Sequence, residues 1–189
     1  MKYLILILLF TLLSTNLYAG AKYSIHADSV VVHLEKIILL EQVGVHEATG
    51  RNDGKEVESY LKSVGLTKGN PWCMSLLYWC YEQAATILHK LNPLLRTGLA
   101  NAEYSYAMQK GEIEPFIPEE TDLIVWKETN SNSGHIEETI EVIGINTILT
   151  IGGNASGYSN YDGVAIHVRH ISSPLGRMNV RGLINLNVN

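Results

Sequence analysis

The stretch Gly69-Asn70-Pro71-Trp72-Cys73-Met74-Ser75-Leu76-Leu77-Tyr78-Trp79-Cys80 decides how the rest of the chain is read. Gly69 and Asn70 are turn formers, and Pro71 suits a first helical turn, where its missing N–H is no loss. Met74, Leu77, Tyr78 and Tyr81 recur at helical spacing, with Trp79 and Cys80 widening the apolar face. The spacing predicts a helix over about 72–91, stopped by Asn92-Pro93. Cys73 falls in its first turn, where unpaired N–H groups and the positive end of the helix dipole favour a thiolate. A cysteine between Trp and an apolar run is also an ordinary core residue. The surrounding chain has to separate these readings.

Upstream, Met1-Lys2 precedes an almost unbroken apolar run over residues 3–13, with small-residue patterns at Leu17-Tyr18-Ala19 and Ala19-Gly20-Ala21. The run of about 11 residues is too short to span a bilayer, which takes about 20. Residues 1–19 therefore read as a secretory signal peptide, cleaved at 19 or as late as 21. The mature chain, 22–189, reads as a single domain without a membrane span, secreted or periplasmic. Its formal charge is −5 with the leader included, and losing Lys2 makes it more acidic. With no Lys/Arg-rich run, the electrostatic footprint of a nucleic-acid binder is missing.

The two cysteines, Cys73 and Cys80, are seven residues apart. On one helix that is about 10.5 Å along the axis. A disulfide needs Cα atoms within about 7 Å, so the pair is not expected to bridge. An unpaired thiol in an exported protein favours a chemical use for Cys73.

In chain order, residues 24–28 read as a leader into a helix capped at Asp28 or Ser29, with an apolar stripe reaching about Gly44. A polar, Gly-punctuated loop over 44–54 leads into a short helix over 55–64, with Gly65 as terminator. Another helix is expected over 99–110, then a Pro-containing loop over 112–120. Strand character follows at 122–127, 135–143, 147–151, 164–170 and 182–188, with Gly144-Ile145-Asn146 as a hairpin turn. Helices first and a meander afterwards indicate an α+β domain with segregated layers, the helices packed on an antiparallel sheet.

A cysteine nucleophile needs a base for its proton and a third group to fix that base. His135, after Gly134 at a strand start, is a candidate base, and equally a loop-end or core histidine. Asn154 ends the partner strand of the same hairpin, close enough to accept from an imidazole, although a turn Asn after Gly-Gly is the commoner case. Metal chemistry is not supported. His46-Glu47 would need His rather than Gly at position 50 to complete HExxH, and His167 and His170 point to opposite faces of a strand. Tyr104-Ser105-Tyr106 with Tyr158 and Tyr161 would suit a glycan or peptide groove as well as packing.

The ordered set Gly44-Val45-x-Glu47-x-x-Gly50-x-Asn52-Asp53-Gly54, Pro71-Trp72-Cys73, Trp79, Asp122-Leu-Ile-Val, Gly134-His135 and Gly153-Asn154 resembles the CHAP branch of the NlpC/P60-like cysteine peptidoglycan hydrolases. The resemblance covers nearly the whole mature chain, from about 30 to 171. It implies a papain-like α+β fold with Cys73 as nucleophile, His135 as general base and Asn154 as the orienting residue. The implied activity is amide-bond cleavage in peptidoglycan, as N-acetylmuramoyl-L-alanine amidase or stem-peptide endopeptidase, with no metal or cofactor. The oxyanion would sit at the helix N-terminus, with the Cys73 N–H as one donor. Trp72, which is also expected in the core, joins Asn52 and Asp53 as candidates to touch substrate or oxyanion. The chain departs from the family pattern at Met74, where a small residue is usual, and at Ile136-Glu137-Glu138. A carboxylate facing His135 would raise the imidazole pKa and stabilise a thiolate–imidazolium pair. The alternative is a non-catalytic domain on the same fold that binds wall peptides or another protein, such as a proteinaceous inhibitor; a secreted cysteine peptidase acting on proteins is a further rival.

Overall fold

The structure is a computed structural model that describes residues 20–157 and 159–188. The signal peptide expected over 1–19 lies outside the described residues, as does Tyr158. Strand β1 (Ala21–Ala27) comes first, followed by four helices: α1 (Ser29–Glu41), α2 (Lys55–Ser63), α3 (Cys73–Leu88) and α4 (Ala100–Lys110). The remaining strands are β2 (Glu112–Glu114), β3 (Leu123–Glu128), β4 (Gly134–Gly144), β5 (Thr147–Ala155), β6 (Gly163–His170) and β7 (Met178–Val188).

Helix ends follow local chemistry. The Asp28 carboxylate accepts from the Val30 N–H at 3.1 Å and starts α1, as its N-cap position predicts. Helix α3 stops three residues short of the expected 91 because His89 turns left-handed, with φ 54 and ψ 42. Asn92 then donates to the Tyr78 carbonyl at 3.1 Å and accepts from the Leu94 N–H at 2.9 Å, fixing the exit.

The seven strands form one sheet in the order β2-β1-β7-β3-β4-β5-β6. The stretch expected to be a leader is strand β1, and it runs parallel to β7 from Ala21↔Gly182 to Ala27↔Val188. The sheet is therefore mixed, correcting the wholly antiparallel expectation. A parallel neighbour needs a crossover connection, and here nearly the whole chain serves as one, so no local pattern announces it. Lys22 ties β1 down from its other end. Its buried ammonium meets Glu119 at 2.8 Å and Asp122 at 2.9 Å, just before β3.

Alternation along the strands builds two apolar layers. Leu123, Val125, Ile136, Ile151, Ile184 and Leu186 face the helices and pack with Trp72, Met74, Leu76 and Leu77. Ile124, Trp126, Ile148, Val180 and Leu183 cluster on the opposite face, where Phe116, Leu175 and Met178 cover them. Fully burying one such side chain contributes about 1.5–3 kcal/mol, so the α3 face is a major share of the core. The arrangement is α+β, with the helices on one side of the sheet. Among the described residues, no helix is long and apolar enough to cross a membrane.

One polar feature interrupts the helix-facing layer. Glu35 of α1 and Glu138 of β4 are fully buried side by side, and Tyr81 of α3 donates to Glu138 at 3.3 Å. Burial pushes Glu35 well above the usual carboxylate range, with the neighbouring Glu138 charge adding to the shift, while Lys36 pulls it down slightly. Burial likewise raises Glu138, to about 7. The folded state therefore holds more protons here than the unfolded chain. The stability this pair contributes is complete below about pH 4.5 and is lost as the pH rises through about 7. Glu35→Gln should flatten this loss. Denaturant midpoints at about pH 5 and about pH 8 should show the variant gaining on wild type at the higher pH; a pH-independent difference would contradict the shared buried proton.

Candidate active site

Cys73 is the first residue of α3, held there by what surrounds Trp72. The Trp72 indole is completely buried and donates to Glu47 of the 44–54 loop at 3.1 Å. Its ring fills the space above Gly153, where a Cβ would lie 2.3 Å from the indole. The Trp72 backbone N–H donates to Asn154 Oδ1 at 2.8 Å. Loop, helix start and the end of β5 thus lock together around one tryptophan. Cys73 starts the helix, as the turn and Pro71 predict, and its thiol lies against the first residues of β4.

There the thiol meets His135. The two side chains face each other closely enough for each to shift the other's protonation, and the backbone N–H groups of Ile136 and Met74 act on the sulfur in the same sense. Burial pushes the Cys73 thiol up, but the His135 hydrogen bond and charge, joined by the two N–H groups, outweigh it and bring it below its ordinary value. Burial would push the imidazole down, but its bonds to Cys73 and Glu137 raise it to about 10. The two shifts run in opposite directions, the thiol down and the imidazole up, which is the sense that favours a thiolate–imidazolium pair.

Glu137 is the third member. It lies two residues along β4 from His135, hence on the same face, and its Oε1 sits 3.0 Å from His135 Nε2. Arg169 of β6 grips the same carboxylate with two nitrogens, Nε at 2.8 Å from Oε2 and Nη2 on Oε1. Thr150 of β5 donates to Oε2 at 2.6 Å. Four donors occupy two oxygens, which is about the capacity of a carboxylate. His167 Nδ1 stands 3.4 Å away. Burial pushes the Glu137 carboxyl up, but Arg169, His135 and His167 hold it well below the usual range. Gly152 makes room for it, since a Cβ there would lie 2.5 Å from Glu137 Cγ. Trp126, opposite His135 in register, supports the imidazole at 5.9 Å between ring centres and carries Arg169 over its other contacts at 5.8 Å.

These positions sort the residues nominated from sequence. Cys73 and His135 come together. Asn154 does come near the site, but it caps the start of α3 and donates to Asp162 at 3.3 Å, while Glu137 takes the imidazole. In this geometry Glu137, and not the expected Asn154, contacts the imidazole. Its hairpin placement is sound, but its backbone turns left-handed at φ 56 and delivers the amide to the helix end. Trp72 is a buried support and does not line the cleft. Asp53 accepts from the Thr49 N–H at 2.9 Å and hydroxyl at 2.7 Å, and the Asn52 carbonyl accepts from the Gly69 N–H at 2.9 Å. Asp53 braces the 44–54 loop internally, Asn52 ties that loop to the turn before Pro71, and neither lines the cleft. Glu138 points the other way, into the core with Glu35. Tyr104 is buried and donates to the Ala21 carbonyl at 2.8 Å, and Tyr161 stands over Gly50, so neither belongs to a groove at Cys73. Both cysteines are free.

A cleft of about 600 Å³ opens at Cys73. Val64, Leu66, Leu99 and Met178 supply apolar walls, and Asn70, Asn132 and Ser133 supply polar edges. This is the size and character of a pocket for a short peptide or other small organic ligand. Compared with known proteins, the chain matches no family model, no curated protein and no solved structure.

Thiol alkylation distinguishes the two candidates for the third position. In Glu137→Gln, the imidazolium loses its carboxylate, so the midpoint of the iodoacetamide rate against pH should move up by about one unit or more. Asn154→Ala should leave that midpoint in place and lower unfolding stability by about 1 kcal/mol through the lost helix cap. The reverse pattern would restore Asn154 as the orienting residue.

Proposed function

We propose that this protein is a cysteine amidohydrolase that cleaves amide bonds in peptidoglycan, on a papain-like core of the NlpC/P60-CHAP type, acting after secretion or in the periplasm. The observation that carries the reading is the direct meeting of Cys73 and His135 at the start of a buried helix, with Glu137 behind the imidazole and an open cleft in front. The ordered sequence motifs supply the substrate class: Pro71-Trp72-Cys73, then Gly134-His135, then Gly153-Asn154.

The chemistry follows from the protonation states. The Cys73 thiolate attacks the amide carbonyl carbon, and the developing oxyanion is received at the α3 N-terminus by the Cys73 N–H. The His135 imidazolium gives its proton to the leaving amine as the C–N bond breaks, leaving a thioester and a neutral imidazole. That imidazole takes a proton from water, the resulting hydroxide equivalent attacks the thioester, and the thiolate departs. The imidazolium is thereby restored. Glu137 keeps Nε2 oriented throughout and stabilises the charged ring, while Arg169 and Thr150 prevent the carboxylate from taking the proton itself.

Incubation with purified peptidoglycan, with mass spectrometry of the released fragments, tests the reading. Wild type should release new amine and carboxyl ends, and Cys73→Ala none. His135→Ala should fall by at least about 100-fold while remaining folded by circular dichroism. Retention on the wall with no fragment released by wild type would replace this proposal with a non-catalytic wall-peptide-binding domain.

A further inference from the structure

The walls of the Cys73 cleft carry one charged side chain that the mechanism leaves unused. Arg96, in the segment between α3 and α4, lines the cleft together with Cys73. Every other lining residue is apolar or neutral polar apart from Cys73 itself. Arg96 is exposed at the rim between this cleft and a second one lined by Tyr78 and Glu82, and its Nε donates to the Ser63 carbonyl at 2.8 Å, which fixes the base of the guanidinium without using its terminal nitrogens. Among the described residues no carboxylate lies within ion-pair distance of it, although the chain is acidic overall. Structural arginines on this protein behave differently. Arg169 is spent on Glu137 and Arg181 on Asn101 and Ser105. An arginine tethered at Nε, open at its fork and placed in a cleft with a nucleophile is suited to a planar anion.

We propose that Arg96 is a specificity-determining residue that selects substrates bearing a carboxylate near the scissile amide, with the rest of the ligand against the apolar wall formed by Leu66, Leu99 and Met178. This rests on the reading of Cys73 as a nucleophile, and it narrows the substrate from amides in general to carboxylate-bearing peptides. The amidated counterpart of such a peptide gains nothing from the guanidinium and leaves it partly desolvated, which is how a single arginine discriminates.

Two alkylating reagents of nearly equal size and opposite demand on Arg96 provide the test: iodoacetate, an anion, and iodoacetamide, its neutral amide. In both, the Cys73 sulfur displaces iodide, and peptide mapping by mass spectrometry reads the adduct at Cys73 apart from Cys80. In wild type at low ionic strength, the ratio of iodoacetate to iodoacetamide rates should exceed that of Arg96→Gln by about three- to tenfold. Arg96→Glu should lower it further, and Arg96→Lys should retain most of it. Added salt should shrink the differences. On wild type alone, N-acetylalanine should slow iodoacetamide alkylation at concentrations where N-acetylalaninamide does not, which tests the same point if a variant fails to fold. An unchanged ratio, or equal protection by acid and amide, overturns the role of Arg96 and leaves the nucleophile standing. A Cys73 inert to both reagents overturns the nucleophile, and this proposal with it.

Discussion

The site depends on one largely buried run of facing groups: the Cys73 thiol, the His135 imidazole, the Glu137 carboxylate and the Arg169 guanidinium. Each member is expensive to bury alone, and each is compensated by the next. The run crosses from the start of α3 to β4 and on to β6, so it fixes relations between elements as well as protons. Deleting any one member strands a charge away from water, a loss of about 3–5 kcal/mol for a buried pair broken on one side. This is why the site is built on the sheet, whose register is set by many bonds, with only Cys73 supplied by a helix.

Gly152-Gly153-Asn154 shows how tightly the sheet and the nucleophile are coupled. Successive residues of a strand face opposite sides. The missing Cβ of Gly152 accommodates Glu137 on one face, that of Gly153 accommodates Trp72 on the other, and Asn154 then closes the Trp72 N–H. Three adjacent residues of β5 thus set the position of Glu137, the seat of the helix and its cap. A methyl group at either glycine would displace one half of the site from the other.

Much of this was legible from local pattern, and what was not is long-range. The turn-to-helix signal at Gly69–Cys73, the Asp28 cap and the 144–146 reversal are short-range statements, and the structure contains each of them. Strand β1 escaped because its principal partner is β7, at the other end of the chain, and because Lys22 gives it no simple alternation. That Cys73 and His135 belong together was readable from residue type and neighbours, and the structure brings the two side chains together. The hairpin register suggests that Asn154 contacts His135, but its left-handed backbone turns the amide toward Trp72. Glu137 was visible as a carboxylate two residues from His135, but Arg169 and Thr150 come from separate strands and only the sheet reveals them. Arg96 sits in a stretch with no strong periodicity, and only the cleft brings it to Cys73.

Glu137 and Glu138 make the same point in adjacent positions. They share a residue type, a strand and near-total burial, yet one carboxyl is held ionised and the other is raised to about 7. The difference is the company on each face. Glu137 meets a guanidinium, an imidazolium and a hydroxyl donor. Glu138 meets a second carboxyl and a phenol, with Lys36 as the cation that pulls it down. Two like charges cannot both persist in that space, so a proton stays. Strand alternation thereby converts a Glu-Glu dipeptide into one permanent anion for the imidazole and one proton-bearing core residue, and a one-residue slip of β4 would exchange them. The register of a single strand is thus what determines whether the thiol at Cys73 has a charged partner at all.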